Sequence, residues 1–188
     1  MPSALSWLDP AAPSPLTWGV GEGWEAAALR HDGLVGPTPT GAEAAVDLRA
    51  SPAGRAGLLR EALVPGSALA RTTALWVHTG RLLALRTELV VPPERRVEGG
   101  GVVHRQHLAP GDVALVAGVP TTTPVRTAVD LLCFAAPGTA VPGARALLAH
   151  GLPAEAVRRA LVQPARRLPG RRALSLLAVA LTPPGRHP

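Results

Sequence analysis

Punctuation constrains this chain more than any other feature: 21 prolines and 20 glycines are spread through 188 residues. Proline removes a backbone donor and clashes with the preceding helical turn, and glycine loses extra backbone entropy inside a helix or strand. Long uninterrupted elements are therefore excluded. What fits between the breaks is a series of short segments, and their apolar periods assign most of them.

From Met1 to about Ala50 the Pro/Gly density is highest and little period survives, apart from one short helix around Glu22 to Leu29. Trp7, Trp18 and Trp24 argue against complete disorder of this arm, because disordered segments are poor in aromatic residues. Ser51 can cap a helix with Pro52 in its first turn and Leu58, Leu59, Ala62 and Leu63 on one face, stopped by Pro65-Gly66. A second helix runs from Arg71 to His78, with Gly80 able to end it in a left-handed conformation. Leu82 to Val91, Gly101 to Leu108 and Asp112 to Ala117 read as strands between turns. After Gly118-Val119-Pro120, Thr122 or Thr123 caps a helix that begins at Pro124 and presents Val125, Ala128, Val129 and Leu132 on one face. Three more short helices are predicted over Ala144 to His150, Ala154 to Val162 and Arg171 to Leu181. The expected fold is α+β, a small β-sheet flanked by several short helices. Residues 1–50 form a Pro/Gly-rich N-terminal arm, and residues 51–188 form the main domain with a basic helical tail.

Composition narrows the chemistry. Lys, Ile, Asn and Tyr are all absent, so the 19 basic residues are all Arg, and a GC-rich genome accounts for that choice. Without lysine, the usual nuclease arrangement of two acids and a lysine is excluded. His104 and His107 are three apart in a predicted strand, which sends their side chains to opposite faces, and no Cys pair offers a zinc site. Cys133 reads as a core residue, since it can form no internal disulfide and has no base near it in sequence. Gly19 to Gly23 lacks the lysine and the preceding strand of a phosphate loop. No metal, cofactor or catalytic set can be assembled, and the expectation is a non-enzyme. Met1 to Pro15 contains no signal-peptide pattern, and the apolar run Ala173 to Leu181 is far short of the roughly 20 residues of a membrane span. No membrane partner and a cytoplasmic location are expected.

Charge is uneven. Residues 1–70 hold four Arg against seven acids, whereas Arg158 to Pro188 has seven Arg and no acid. Such a segment attracts phosphates at close range, although a solvated helical surface would look the same. Arg126 and Asp130, four apart on the Pro124 helix, are placed to form an architectural ion pair.

Taken in order, Gly101-Val102-Val103-His104-Arg105, Leu108, Asp112-Val113, and Gly118-Val119-Pro120-Thr121-Thr122-Thr123-Pro124-Val125-Arg126-Thr127-Ala128-Val129-Asp130-Leu131 form a recognisable series. It resembles the C-terminal domain of AbiEi-type (abortive infection) antitoxins of high-GC bacteria, over roughly residues 55 to 181. Thr73 to His78 is similar to the family helix that follows a Ser-His pair, whose places are taken here by Ala70 and Arg71. The resemblance implies a transcriptional autorepressor and antitoxin of a type IV toxin–antitoxin operon, paired with a nucleotidyltransferase-like toxin that it need not touch. It also makes His104, Arg105, Pro120, Thr122, Thr123, Pro124, Arg126, Thr127 and Asp130 motif residues of structural role. Family members bind operator DNA through an N-terminal winged helix, and Met1 to Ala50 shows no pair of helices of that kind. Some carry a C-terminal endonuclease-like domain, for which a chain ending at Pro188 leaves no room.

Two readings follow. In the first, Arg158, Arg159, Arg166, Arg167, Arg171 and Arg172 line a basic surface for operator DNA or RNA, with strong salt dependence as its signature. In the second, the chain has lost DNA binding and is a protein-interaction module, anchored by its tryptophans and tolerant of salt.

Overall fold

The computed structural model describes residues 23–81, 86–97, 101–163 and 169–183. Within them lie eight helices and two small sheets, an α+β architecture. Between residues 23 and 50 the chain is more ordered than its sequence predicts, and the earlier part of the predicted arm lies outside the described residues. Helix α1 (Trp24–His31) runs into an antiparallel hairpin of β1 (Val35–Pro37) and β2 (Glu43–Ala45), followed by the short α2 (Val46–Ala50). The Arg30 Nε donates to Glu43 at 2.7 Å and ties helix to hairpin.

The helix predicted from Ser51 is shorter than its apolar pattern suggests. Helix α3 (Pro52–Gly57) is capped by the Ser51 hydroxyl and ends at Gly57, and a single 3-10 turn at Arg60–Ala62 follows. Gly54 has a positive reason to be glycine, because a Cβ there would overlap the Leu48 carbonyl of α2. Two-residue β3 (Ala68–Leu69) leads to α4 (Arg71–Thr79), which Gly80 ends at φ 69°, the left-handed value that its sequence position predicts.

Strands β4 (Glu88–Val91), β5 (Val102–Arg105), β6 (Val113–Val116) and β7 (Val119–Thr122) complete a mixed sheet of order β5-β4-β3-β7-β6. Strand β7 was hidden in sequence by Pro120. Its missing N–H does no damage, because the hairpin partner of Pro120 is Leu115 in a pair that exchanges no backbone bond, and on the other side β3 meets β7 only at Leu69 and Thr121.

Four helices close the chain: α5 (Pro124–Phe134), α6 (Pro137–Ala149), α7 (Ala154–Val162) and α8 (Gly170–Leu181). Helix α6 starts seven residues before the predicted Ala144 and runs through Pro142, which gives up the bond to the carbonyl four residues back, at Gly138. The core falls into two main parts. Leu75, Leu131, Leu132, Leu147, Val157 and Leu177 join α4 to the C-terminal helices. Trp76, Leu59, Leu69, Leu89 and Val119 pack the other side of α4 against the sheet. Helix α4 is thus buried on both sides and contributes to both parts of the core. No helix among the described residues is long and apolar enough to cross a membrane.

Candidate functional site

The motif residues Thr122, Thr123, Pro124, Arg126, Thr127 and Asp130 lie together in the first turns of α5 and the strand end before it. Thr123 caps the helix, its hydroxyl accepting from the Arg126 N–H at 3.4 Å, and Pro124 fills the first turn where an N–H would be unused. The Thr122 and Thr127 hydroxyls bond each other at 2.8 Å, fastening the end of β7 to the first turn of α5.

Arg126 then turns inward and satisfies five acceptors. Its Nε donates to both Asp130 oxygens at 3.0 and 2.9 Å, Nη1 to Asp112 at 2.7 Å and to the His107 carbonyl at 3.1 Å, and Nη2 to Gln106 at 2.7 Å. Arg126, Asp112 and Asp130 are all buried. Burial acts against the Arg126 cation, but Asp130 and Asp112 outweigh it and hold the guanidinium above its ordinary pKa. Burial likewise pushes the Asp130 carboxyl up, more than Arg126 pulls it down. One cation that does not titrate therefore serves two acids. The Asp112 carboxylate also accepts from the Ala109 N–H at 2.9 Å, shaping the loop into β6. These bonds pin the first turns of α5 to the β5–β6 loop.

A second polar cluster, invisible in the sequence, lies at the start of α4. Glu88 on β4 accepts from the Thr72 hydroxyl at 2.9 Å and from His104 Nε2 on neighbouring β5 at 3.3 Å. Burial raises the Glu88 carboxyl, but bonds from His104 and Thr72 and the charges of His104 and Arg71 together hold it below its ordinary value. Arg71 stands at φ 48°, unusual for a residue with a side chain, and lays its guanidinium 5.2 Å from the centre of the Phe134 ring. Arg105, the next motif residue, is exposed at the end of β5.

His78, on the opposite end of α4, donates Nε2–H to the Thr122 carbonyl at 2.8 Å. Burial pushes this imidazole below its ordinary 6.5, more than the Thr122 bond raises it. The folded state thus holds His78 neutral while the unfolded chain takes up a proton, so its contribution to stability is present above about pH 6.5 and declines as the pH falls below that value. His78→Gln is expected to flatten the loss of urea-unfolding free energy between about pH 7 and 5.5 relative to the parent protein. An unchanged slope would mean that other groups carry the acid sensitivity.

The arginines divide into two sorts. Arg172 donates to the Cys133 and Ala135 carbonyls at 2.8 Å, closing the C-terminal end of α5. Arg145 does the same for α8 through Ala180, Val179 and Thr182. Arg55 does so for α2 and α4 through Arg49, Ala50 and Val77. Cations belong at helix C-termini, where unpaired carbonyls and the helix dipole both favour them. Arg158 and Arg159 on α7 and Arg171 on α8, by contrast, are exposed, and their guanidinium groups make no bond among the described residues. Arg166 and Arg167 lie outside the described residues. Of the six arginines singled out in sequence, three are therefore available to a polyanion and one is occupied with the fold.

Cys133 is buried, and burial chiefly, with a contribution from Asp130, pushes its thiol up to about 11, so it carries no nucleophilic thiolate at neutral pH. Among the described residues no group of three or more His, Cys, Asp or Glu side chains is placed to hold a metal ion. Comparison with known protein families, with curated proteins and with solved structures finds no match to this chain.

Proposed function

We propose that this chain is a non-catalytic, antitoxin-like transcriptional regulator that acts in the cytoplasm and binds nucleic acid through an arginine surface on α7 and α8. The observation that carries the reading is the contrast between Arg172, Arg145 and Arg55, which are bonded to helix ends, and Arg158, Arg159 and Arg171, whose guanidinium groups are free for phosphate. The order of α1 and the β1–β2 hairpin adds to it, since a helix followed at once by a short antiparallel ribbon is the arrangement of a recognition helix and its wing. The partner in this reading is operator DNA, and the functional counterpart is a nucleotidyltransferase-like toxin that need not be touched.

The test is fluorescence-anisotropy binding of the full chain to its own upstream DNA and to a scrambled duplex, across a salt series. Preference for its own DNA is expected. The triple variant Arg158→Gln, Arg159→Gln, Arg171→Gln should weaken binding to both duplexes and flatten the salt slope, since each phosphate contact contributes about −0.9 to it. Binding that the triple variant leaves unchanged removes this surface from the reading. No DNA binding at all favours the protein-interaction module.

A further inference from the structure

Arg71, at the start of α4, departs from the other arginines drawn into the fold in three ways. Its backbone stands at φ 48°, a strained value for a residue with a side chain, and strain of this kind gathers at functional positions. Its Nε is shut off from solvent and meets no acceptor among the described residues. Its neighbouring acids are committed elsewhere, Glu88 to Thr72 and His104 and Asp130 to Arg126, so both act on Arg71 only through space. Buried Arg55 and Arg126, by contrast, are bonded to carbonyls or carboxylates. A buried donor left without a partner calls for an explanation outside the fold's own packing.

The Arg71 guanidinium lies 5.2 Å from the centre of the Phe134 ring. Phe134 is the one phenylalanine of the chain, and with Arg71 against it the residue is still 42 % exposed. Arg172 donates to the carbonyls of Cys133 and Ala135, on either side of Phe134, and so holds the first turn of α8 against this end of α5. Arg171, the next residue on α8, is exposed. Arg159 belongs to the opposite end of α5, where it shares a cleft with Thr123 and Val125, about 15 Å away along a helix of 11 residues. The arginine surface therefore has two ends, and an aromatic ring stands at one of them.

We propose that Arg71 and Phe134 form a platform for one unpaired nucleotide of a single-stranded nucleic acid. The base stacks on the open part of the Phe134 ring, its phosphate accepts from the Arg71 Nη groups, and Arg171 meets a neighbouring phosphate. Each part of the ligand is selected by a separate feature. A cation that no acid of the fold bonds selects an anion, an exposed ring beside it selects a flat apolar group, and a second free cation on α8 selects a chain that repeats its charge. Only a base outside a duplex can offer its face to the ring, because a paired base is stacked on both sides. This proposal rests on the nucleic-acid reading above and names the form of nucleic acid that this end of the surface takes.

The test is fluorescence-anisotropy binding of the full chain to one labelled short DNA strand of mixed sequence, alone and annealed to its complement, at a single salt concentration. Phe134→Leu, at a half-exposed position, is expected to weaken single-strand binding by about 5- to 100-fold, the range for losing one stacked base, and to leave duplex binding unchanged. Phe134→Tyr keeps a ring and should restore the single-strand affinity. Arg71→Gly suits φ 48° and should weaken single-strand binding without lowering the urea midpoint, which separates a binding role from a structural one. Single-strand affinity that Phe134→Leu leaves unchanged overturns the proposal, as does an equal loss for strand and duplex. A chain that binds the duplex and not the strand overturns it while the operator reading stands. A chain that binds neither overturns both.

Discussion

Replacing Arg126 with leucine should cost about 3–5 kcal/mol of unfolding free energy, because it removes the cation bonded to two buried carboxylates rather than a single contact. Asp112 and Asp130 are 3 % and 1 % exposed, and Arg126 is the cation bonded to both. Leucine restores some apolar packing but offers no donor to either acid, to Gln106 or to the His107 carbonyl. The deficit should narrow as the pH is lowered into the carboxylate range, since burial already raises the Asp130 carboxyl, loss of Arg126 removes the cation that lowers it, and its protonation removes a buried charge. Arg126→Lys keeps the charge but not the planar fork that reaches acceptors on both α5 and the β5–β6 loop, so it should fall between the parent and the leucine variant. Urea unfolding at two pH values checks all three statements. A leucine variant as stable as the parent would mean that the acids find water or other donors.

The second large effect is expected at Trp76, which is 1 % exposed where α4 meets Leu59, Leu69, Leu89 and Val119. Trp76→Ala removes a bicyclic side chain from between helix and sheet and should cost about 3–5 kcal/mol, the range for truncating a buried aromatic residue. The readout must be far-ultraviolet circular dichroism rather than fluorescence, because the substitution deletes a reporter along with the packing. A loss below about 1 kcal/mol would show that the helix–sheet interface can collapse into the gap.

Local signals were legible where a segment answers to its own residues. Helix α7 occupies the span its period predicts, Ala154–Val162, and α5 begins at Pro124 behind its threonine cap. Segments that answer to distant residues were not legible. Strand β3 is two residues long and exists because β4 and β7 flank it, and β7 contains a proline that sequence rules place in a turn. Helix α6 carries Pro142, which argues locally for a break, but buried Ala140, Gly143, Ala144 and Leu147 hold it in one piece.

The sites divide in the same way. The Arg126–Asp130 pair could be read from its spacing of four, but Asp112 and Gln106 reach Arg126 from another part of the chain. The Glu88–His104 contact depends on the parallel register of β4 and β5, which no local pattern encodes. Arg172 looked like its neighbours in a basic tail. What separates it is a pair of carbonyl groups 37 and 39 residues away.

Those helix-end arginines also change how much electric field the molecule projects. A guanidinium resting on the last carbonyls of a helix sits against the negative end of the helix dipole, so at close range those carbonyls offset part of its field. Arg55, Arg145 and Arg172 are all of this kind, and Arg126 is more than neutralised by its two acids. The formal net charge of +6 is thus a poor guide to what an approaching polyanion senses. Its attraction is concentrated on the few side chains that the fold leaves uncommitted.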